Sequence, residues 1–469
     1  MVTASEPVGT GPSVAHDPYL LTADKIREPP QGWGSSVRFL GPGMITSAAV
    51  VGSGELITAT ALGAEVGFLL LWLVFVSTFV KVAVQIEVAR WSISTGQSAI
   101  EGYNRVPPRF LKRGWVSYLA VLMFLQFLTS QAGVLSAAGI ALSLLVPIGG
   151  DSPTTLSIGI WVSVMVVVAI AIHFANRYDI VEKVSTALVV IVTAAVVVMV
   201  FGIQATPFAW TAGDFAGGMQ FQIAAGAMGV ALAMFGLTGV GAGEITSYSF
   251  WCVEKGYAAW TGPNDGSDAW VARARGWISV MKKDAWLAWV VYTLSTAAFY
   301  ILGAAVLHPQ GLVPEGNEVI TTLSRIFTDT IGDWVGVVFV VFAALALYKT
   351  ILANVPSLSR QVANAIAVFG IFDWSDSKAR DRWLRGVMIV QPILWGVLGV
   401  VASSPVLLVI IGGILNALYL VAVSVACIYL SFKETDPRIR DGRAFTGYLL
   451  VSAVAIIAVG AISLYSIFF

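Results

Sequence analysis

The stretch Val51-Gly52-Ser53-Gly54-Glu55 recurs as Val240-Gly241-Ala242-Gly243-Glu244, and each copy is followed within three residues by an isoleucine and a threonine. Both copies interrupt long apolar runs, at 39–66 and 224–250. Glycines flanking a small residue let a helix unwind for a few residues and turn carbonyls and amides toward a cavity. The glutamates add a second constraint. An ionised carboxylate at membrane depth costs about 2.5 to 3.5 kcal/mol on insertion scales, so two of them at matching positions demand a role.

Around these copies the chain reads as a membrane protein. Of 469 residues, 57% are hydrophobic and 12% charged, with a mean hydropathy of +0.82, too apolar for a soluble globular domain. Eleven runs are long enough to span a bilayer: 39–66, 68–93, 115–147, 156–174, 180–204, 224–250, 285–307, 334–355, 385–402, 405–431 and 446–468. Each must be helical, because a lone strand would leave its backbone unpaired in hydrocarbon and strict apolar/polar alternation is absent. The fold class is all-α. Zero net charge gives no case for a nucleic-acid partner. Cys252 and Cys427 have no ligand spacing around them and read as free thiols. Residues 1–38 lack a signal-peptide core and read as a flexible cytoplasmic tail.

With the N-terminus in the cytoplasm, the basic clusters Arg105 to Arg113, Arg177 with Lys183, Lys255 to Lys283, Arg360 to Arg385 and Lys433 to Arg443 all fall inside. Outside loops then hold only Arg325 of the 27 basic residues. This predicts an integral protein of a prokaryotic plasma membrane with its C-terminus outside. The two glycine-glutamate copies then sit in segments of opposite direction, the signature of a five-plus-five inverted repeat: 39–204, 224–431 and an additional helix at 446–468. The connection 251–284, with Trp251, Trp260, Trp270 and Trp277, reads as a cytoplasmic loop with a short interfacial helix.

A two-fold axis in the membrane plane brings both breaks, and with them Glu55 and Glu244, to one central site. Two readings stay open. As ligands, the two carboxylates and the carbonyls near Gly52 and Gly241 supply hard oxygens for a divalent cation, with space left by Ser53, Gly54, Ala242 and Gly243. As caps, each glutamate meets the free amides and positive dipole end of a half-helix. Lys349 and Lys81 either snorkel or place an ammonium near the breaks, Lys349 pairing with Glu55 or standing in for a coupling Na⁺. Gln85, Gln126, Ser130, Gln131 and Asn416 line the cavity or bond helix to helix.

From Gly41-Pro42-Gly43 to Gly67 the chain resembles the first helix of the Nramp family of divalent metal transporters, which use a LeuT-type fold with helices 1 and 6 broken. The run 69–102, LLLWLVFVSTFVKVAVQIEVARWSISTGQSAIEG, is similar to that family's second helix; Ile140-Ala141-Leu142 closes a helix similar to its third, and Glu182 falls where its fifth begins. The resemblance implies a metal site at the breaks, and this chain departs from it there. The family's Asp-Pro-Gly-Asn is Gly52-Ser53-Gly54-Glu55, and its Met-Pro-His is Gly241-Ala242-Gly243, followed by Glu244. Without the methionine thioether, selection for softer metals is lost. The acidic residues of the family's helix 3 align with Gln131 and Val134, which exchange no protons near neutral pH. Nramp-related magnesium transporters, which also depart from the metal-site pattern, are the nearest precedent.

The expectation is therefore a uniporter or symporter moving Mg²⁺ or Mn²⁺ by alternating access without Nramp-type proton coupling, with Glu55 and Glu244 as ligands and no cofactor beyond the transported ion. The alternative is a carrier of a small organic cation, amine or amino acid. No Ser/His/Asp, HExxH or Cys/His constellation in the spans points to an enzyme.

Overall fold

The computed structural model describes residues 17–52, 55–150, 153–174, 178–223, 225–314, 318–402 and 404–468. Its principal helices are α1 Pro42–Val50, α2 Thr60–Val66, α3 Leu71–Thr95, α4 Ala120–Leu145, α5 Thr155–His173, α6 Tyr178–Gly202, α7 Met228–Leu237, α8 Ala242–Lys255, α9 Asp268–Leu302, α10 Asp333–Val368, α11 Ser377–Val401, α12 Pro405–Tyr429 and α13 Arg443–Phe468. Ten helical stretches among the described residues are long and apolar enough to cross a bilayer. The eleventh expected span, 39–66, is split into α1 and α2, so neither half reaches that length alone.

Local chemistry sets the helix ends. Pro42 begins α1 with its φ fixed, and the Asp284 carboxylate of α9 accepts from the Gly41 and Gly43 amides at 2.8 and 2.6 Å, satisfying donors that have no partner within the helix. Gly96, at φ +73°, closes α3 in the left-handed conformation. Thr154, Ser267, Asp376 and Ser404 cap α5, α9, α11 and α12 through their side chains.

Burial sorts the helices into centre and perimeter. The most apolar window of the stretch containing α9 is 83% buried, against 28% for that of α6, whose outer face carries exposed Val190, Ile191 and Val198. An apolar face of that kind suits lipid contact. At the centre, α4 packs against α10 and α12, α3 against α8 and α9, and α7 against α12.

Two sequence expectations change. Residues 268–284, expected within a loop, form the first turns of the 35-residue α9, because Ser267 caps its start and Trp270, Trp277 and Met281 supply a buried stripe at helical spacing. Residues 17–38, expected as a flexible tail, are held down by specific bonds. Asp17 pairs with Arg380 at 2.6 Å, Tyr19 donates to Glu254 at 2.8 Å, and the indole of Trp277 donates to the Arg27 carbonyl at 2.9 Å. Glu254 also takes two bonds from Arg360, at 2.6 and 2.8 Å, so this strap joins α8, α10 and α11 at one face. Residues 1–16 of the expected tail, and Arg177 of the charge pattern, lie outside the described residues.

Candidate functional site

The first break follows α1. Gly52 holds φ +124°, a conformation side chains resist, and a Cβ there would meet the Ala346 carbonyl of α10. Ser53 and Gly54 lie outside the described residues. The chain resumes as a wide π-type turn, Glu55–Ala59, packed against α7, α9 and α12. Glu55 has no exposed surface. Its Oε1 accepts from the Thr296 hydroxyl of α9 at 2.5 Å, and its Oε2 has no partner among the described residues.

The second break lies slightly earlier than its motif. The unwound residues are Thr238 to Gly241, with Gly239 at φ +61°, whereas Ala242 and Gly243 already belong to the first turn of α8. The reason is Glu244, whose Oε2 accepts from the Gly241 amide at 3.0 Å and fixes the helix start there. Asn416 of α12 ties the halves together, accepting from the Ala242 amide and donating to the Gly236 carbonyl, each at 3.0 Å. Glu244 thus acts as a cap in this structure, and Asn416 as a bond between helices.

Two ammonium groups occupy the carbonyls that the breaks expose. Lys349 donates to Ala48 at 3.0 Å and to Val51, at the end of α1. Lys81 donates to Thr238 at 2.7 Å and to Phe235, at the end of α7. A cation at a helix C-terminus is favoured by the dipole as well as by the bonds. Lys349 is 2% exposed and Lys81 is fully buried, so neither snorkels. The charge of Lys81 acts on both Glu55 and Glu244, and that of Lys349 on Glu55. Through these couplings the four ionisable side chains are linked around the two breaks. The expectation of free carbonyls near the two breaks is corrected accordingly.

At Gly241 and Gly243 the expected space is filled, while Ser53 and Gly54 lie outside the described residues. The Phe127 ring packs where a Gly243 Cβ would stand, and the Asn416 amide does the same at Gly241. Gln131 accepts from Asn354 of α10 at 3.2 Å, and Asn354 also reaches the Ala49 carbonyl at 3.3 Å. Gln85, one turn beyond Lys81, is buried with both amide atoms unpartnered among the described residues, as are Gln126 Oε1 and Ser130 Oγ. Thr296, Thr238 and Asn354 escaped sequence reasoning, since a lone hydroxyl or amide in an apolar helix carries no distinguishing pattern. Among the described residues no three His, Cys, Asp or Glu side chains gather as a metal cluster.

Comparison with known proteins places this architecture. A histidine-to-alanine variant of the manganese transporter of Eremococcus coleocola superposes with a TM-score of 0.67 over 95% of this chain and 91% of that one, at 14% identity. The structure of MhsT in complex with L-phenylalanine gives a TM-score of 0.56 over 93% and 99%, at 15% identity. These likenesses show the LeuT-type fold. In sequence, an uncharacterised protein of Pasteurella multocida (strain Pm70) is 22% identical over 336 residues, 70% of each chain. The divalent metal cation transporter MntH of Granulibacter bethesdensis is 26% identical over 211 residues, 44% of each chain. The profile described as natural resistance-associated macrophage protein-like matches residues 43–466. With that match running from the first turn of α1 to the last turn of α13, the chain belongs to the Nramp family.

Proposed function

We propose that the protein is a secondary transporter that carries a divalent metal cation across the membrane by alternating access around the two breaks, with Mg²⁺ and Mn²⁺ as first candidates. The observation that carries this reading is Glu55. Its Oε2 is fully buried at a helix break with no partner among the described residues, and a buried carboxylate left unpaired is unfavourable unless a proton or a cation neutralises it, which a transported cation would do. Family membership supports the same chemistry, since related proteins include transporters of manganese and of divalent metals. Glu244 supplies the second carboxylate when its cap on Gly241 opens. Gln131 and Val134 in α4 carry no group that titrates near neutral pH, so uptake is expected to be independent of a proton gradient. The face holding the strap and the basic clusters is assigned to the cytoplasm and the C-terminus to the outside.

A second reading is favoured by one specific observation, the coupling of two lysines, Lys81 and Lys349, to the glutamates Glu55 and Glu244 at the breaks. A zwitterionic amino acid meets such a cluster without changing its net charge, whereas a divalent ion adds two positive charges. Uptake by purified protein in liposomes separates the readings. Mn²⁺ or Mg²⁺ entering above protein-free vesicles, unaffected by a pH gradient, supports metal transport. No metal uptake, with uptake of amines or amino acids, supports the second.

A further inference from the structure

A cleft away from the helix breaks has the chemistry of an anion site. Its rim is a rigid hairpin, β1 Arg109–Phe110 paired antiparallel with β2 Arg113–Gly114, turning through Leu111 and Lys112 at φ +47° and +68°. Positive φ at both central residues is the geometry of a two-residue hairpin turn. Asn104 accepts from the Gly114 amide at 3.0 Å, and Tyr118 donates to the Phe110 carbonyl at 2.6 Å, so the hairpin is pinned to the bundle.

The cleft beneath it holds about 340 Å³. Arg105, at one side, is already engaged by Glu434 at 2.7 Å and Gln97 at 2.6 Å. Arg109, Lys112 and Arg113 have no ion pair among the described residues. The two acids on the wall, Glu101 and Asp373, already accept from the Ser98 and Ser375 amides at 2.8 and 2.9 Å. Two further lining groups are donors without acceptors. Asn364 has no exposed surface; its Oδ1 accepts from Ser98, and its Nδ2 has no partner among the described residues. The Trp374 indole N–H, on a side chain 8% exposed, is likewise unpartnered. Buried N–H groups left without acceptors are uncommon, and these two line a cleft in which the basic side chains Arg105, Arg109, Lys112 and Arg113 outnumber the acids Glu101 and Asp373.

The position identifies the source of the anion. The hairpin connects α3 to α4, and the opposite wall connects α10 to α11, so the cleft lies where four bilayer-crossing helices end. At the hairpin tip, Phe110 and Leu111 are 57% and 91% exposed beside the three cations. Apolar side chains next to basic ones suit an interface where acyl chains meet negative headgroups.

We propose that this cleft binds the phosphate of an anionic phospholipid. Arg109, Lys112 and Arg113 surround the phosphate, the N–H groups of Asn364 and Trp374 donate to it from below, and Phe110 and Leu111 dip into the acyl region. Phosphate oxygens are the shared chemistry of a lipid headgroup and of free phosphate, and the test separates them.

The test is thermal unfolding of the full chain in nonionic detergent with added phosphatidylglycerol, phosphatidylcholine or inorganic phosphate. Phosphatidylglycerol is expected to raise the unfolding temperature, with little change from the other two. The combined Arg109→Ala, Lys112→Ala and Arg113→Ala variant is expected to need at least about tenfold more lipid for the same shift. Asn364→Asp, which keeps the acceptor for Ser98 and puts a carboxylate under the cleft, is expected to lose the shift as well. Equal shifts with both lipids, or variants that respond like the parent, overturn the proposal. Inorganic phosphate reproducing the full shift overturns the lipid assignment in favour of a free anion.

Discussion

Thr296 donates its hydroxyl to Glu55 at 2.5 Å, fixing one carboxylate oxygen against α9, while the other has no partner among the described residues. This asymmetry separates the two glutamates, because Glu244 spends an oxygen on the Gly241 amide of its own helix start. Glu55→Gln is expected to abolish transport with the fold intact. Glu244→Gln, whose amide oxygen still caps Gly241, is expected to lose transport at unchanged stability, whereas Glu244→Ala also loses about 0.5 to 2 kcal/mol of capping. Transport by Glu244→Gln at the parental rate in liposomes would assign Glu244 to capping alone.

Lys349 donates to the end of α1 from α10, and Lys349→Ala leaves the Ala48 carbonyl without that donor and the Val51 carbonyl with only the Thr350 hydroxyl, at 3.3 Å. Each buried acceptor left unpaired costs about 1 to 3 kcal/mol. The unfolding temperature is expected to fall and to recover in part with Na⁺ but not with choline, since a small hard cation suits carbonyl oxygens. Recovery with neither salt contradicts the view of Lys349 as a tethered cation.

Glycine is required at the breaks for different reasons. Gly52→Ala combines a forbidden φ with a collision at Ala346, and Gly241→Ala collides with Asn416. Both are expected to destabilise strongly. Gly386 and Gly447 have open space where a Cβ would go, so Ala at either is expected to shift stability by no more than about 0.5 kcal/mol. Thermal melts of the four variants decide the point.

Asp441, between α12 and α13, accepts from Arg90 and Lys282. Burial pushes its carboxyl up, but these bonds outweigh it and hold the group below the usual carboxylate range. A folded value below the unfolded one gives stability that is complete above the unfolded value of about 3.9 and is lost as pH falls through the folded value. Asp441→Asn is therefore expected to melt lower than the parent near neutral pH, with the gap narrowing below about pH 4. A gap that stays constant across that range contradicts the ion-pair account.

Much of this architecture is legible in the chain itself. The repeated glycine-glutamate stretch identifies both breaks, because few other residue patterns permit unwinding inside an apolar span. It misplaces the second by a few residues, since the register of α8 is set by the Glu244 cap and by Asn416, which arrives from more than 170 positions away. The partners of Lys81 and Lys349 are likewise beyond sequence, because a lysine that binds distant carbonyls and one that snorkels look alike in a hydropathy plot. The charged start of α9 obscures its helix, whose buried tryptophan stripe shows only once the Arg27 strap covers it. The strap itself depends on single tertiary bonds made by Asp17 and Tyr19.

The divalent-ion reading rests on the Glu55 oxygen that has no partner among the described residues. The most direct measurement is the loss of the free Mn²⁺ signal in electron paramagnetic resonance when the ion is titrated with parent protein and with Glu55→Gln in parallel. Saturable binding by the parent and none by the variant at equal, folded concentrations is the expected result. Absence of binding to both, or equal binding to both, contradicts the divalent-ion reading and leaves the coupled side chains of Glu55, Glu244, Lys81 and Lys349 to an organic substrate.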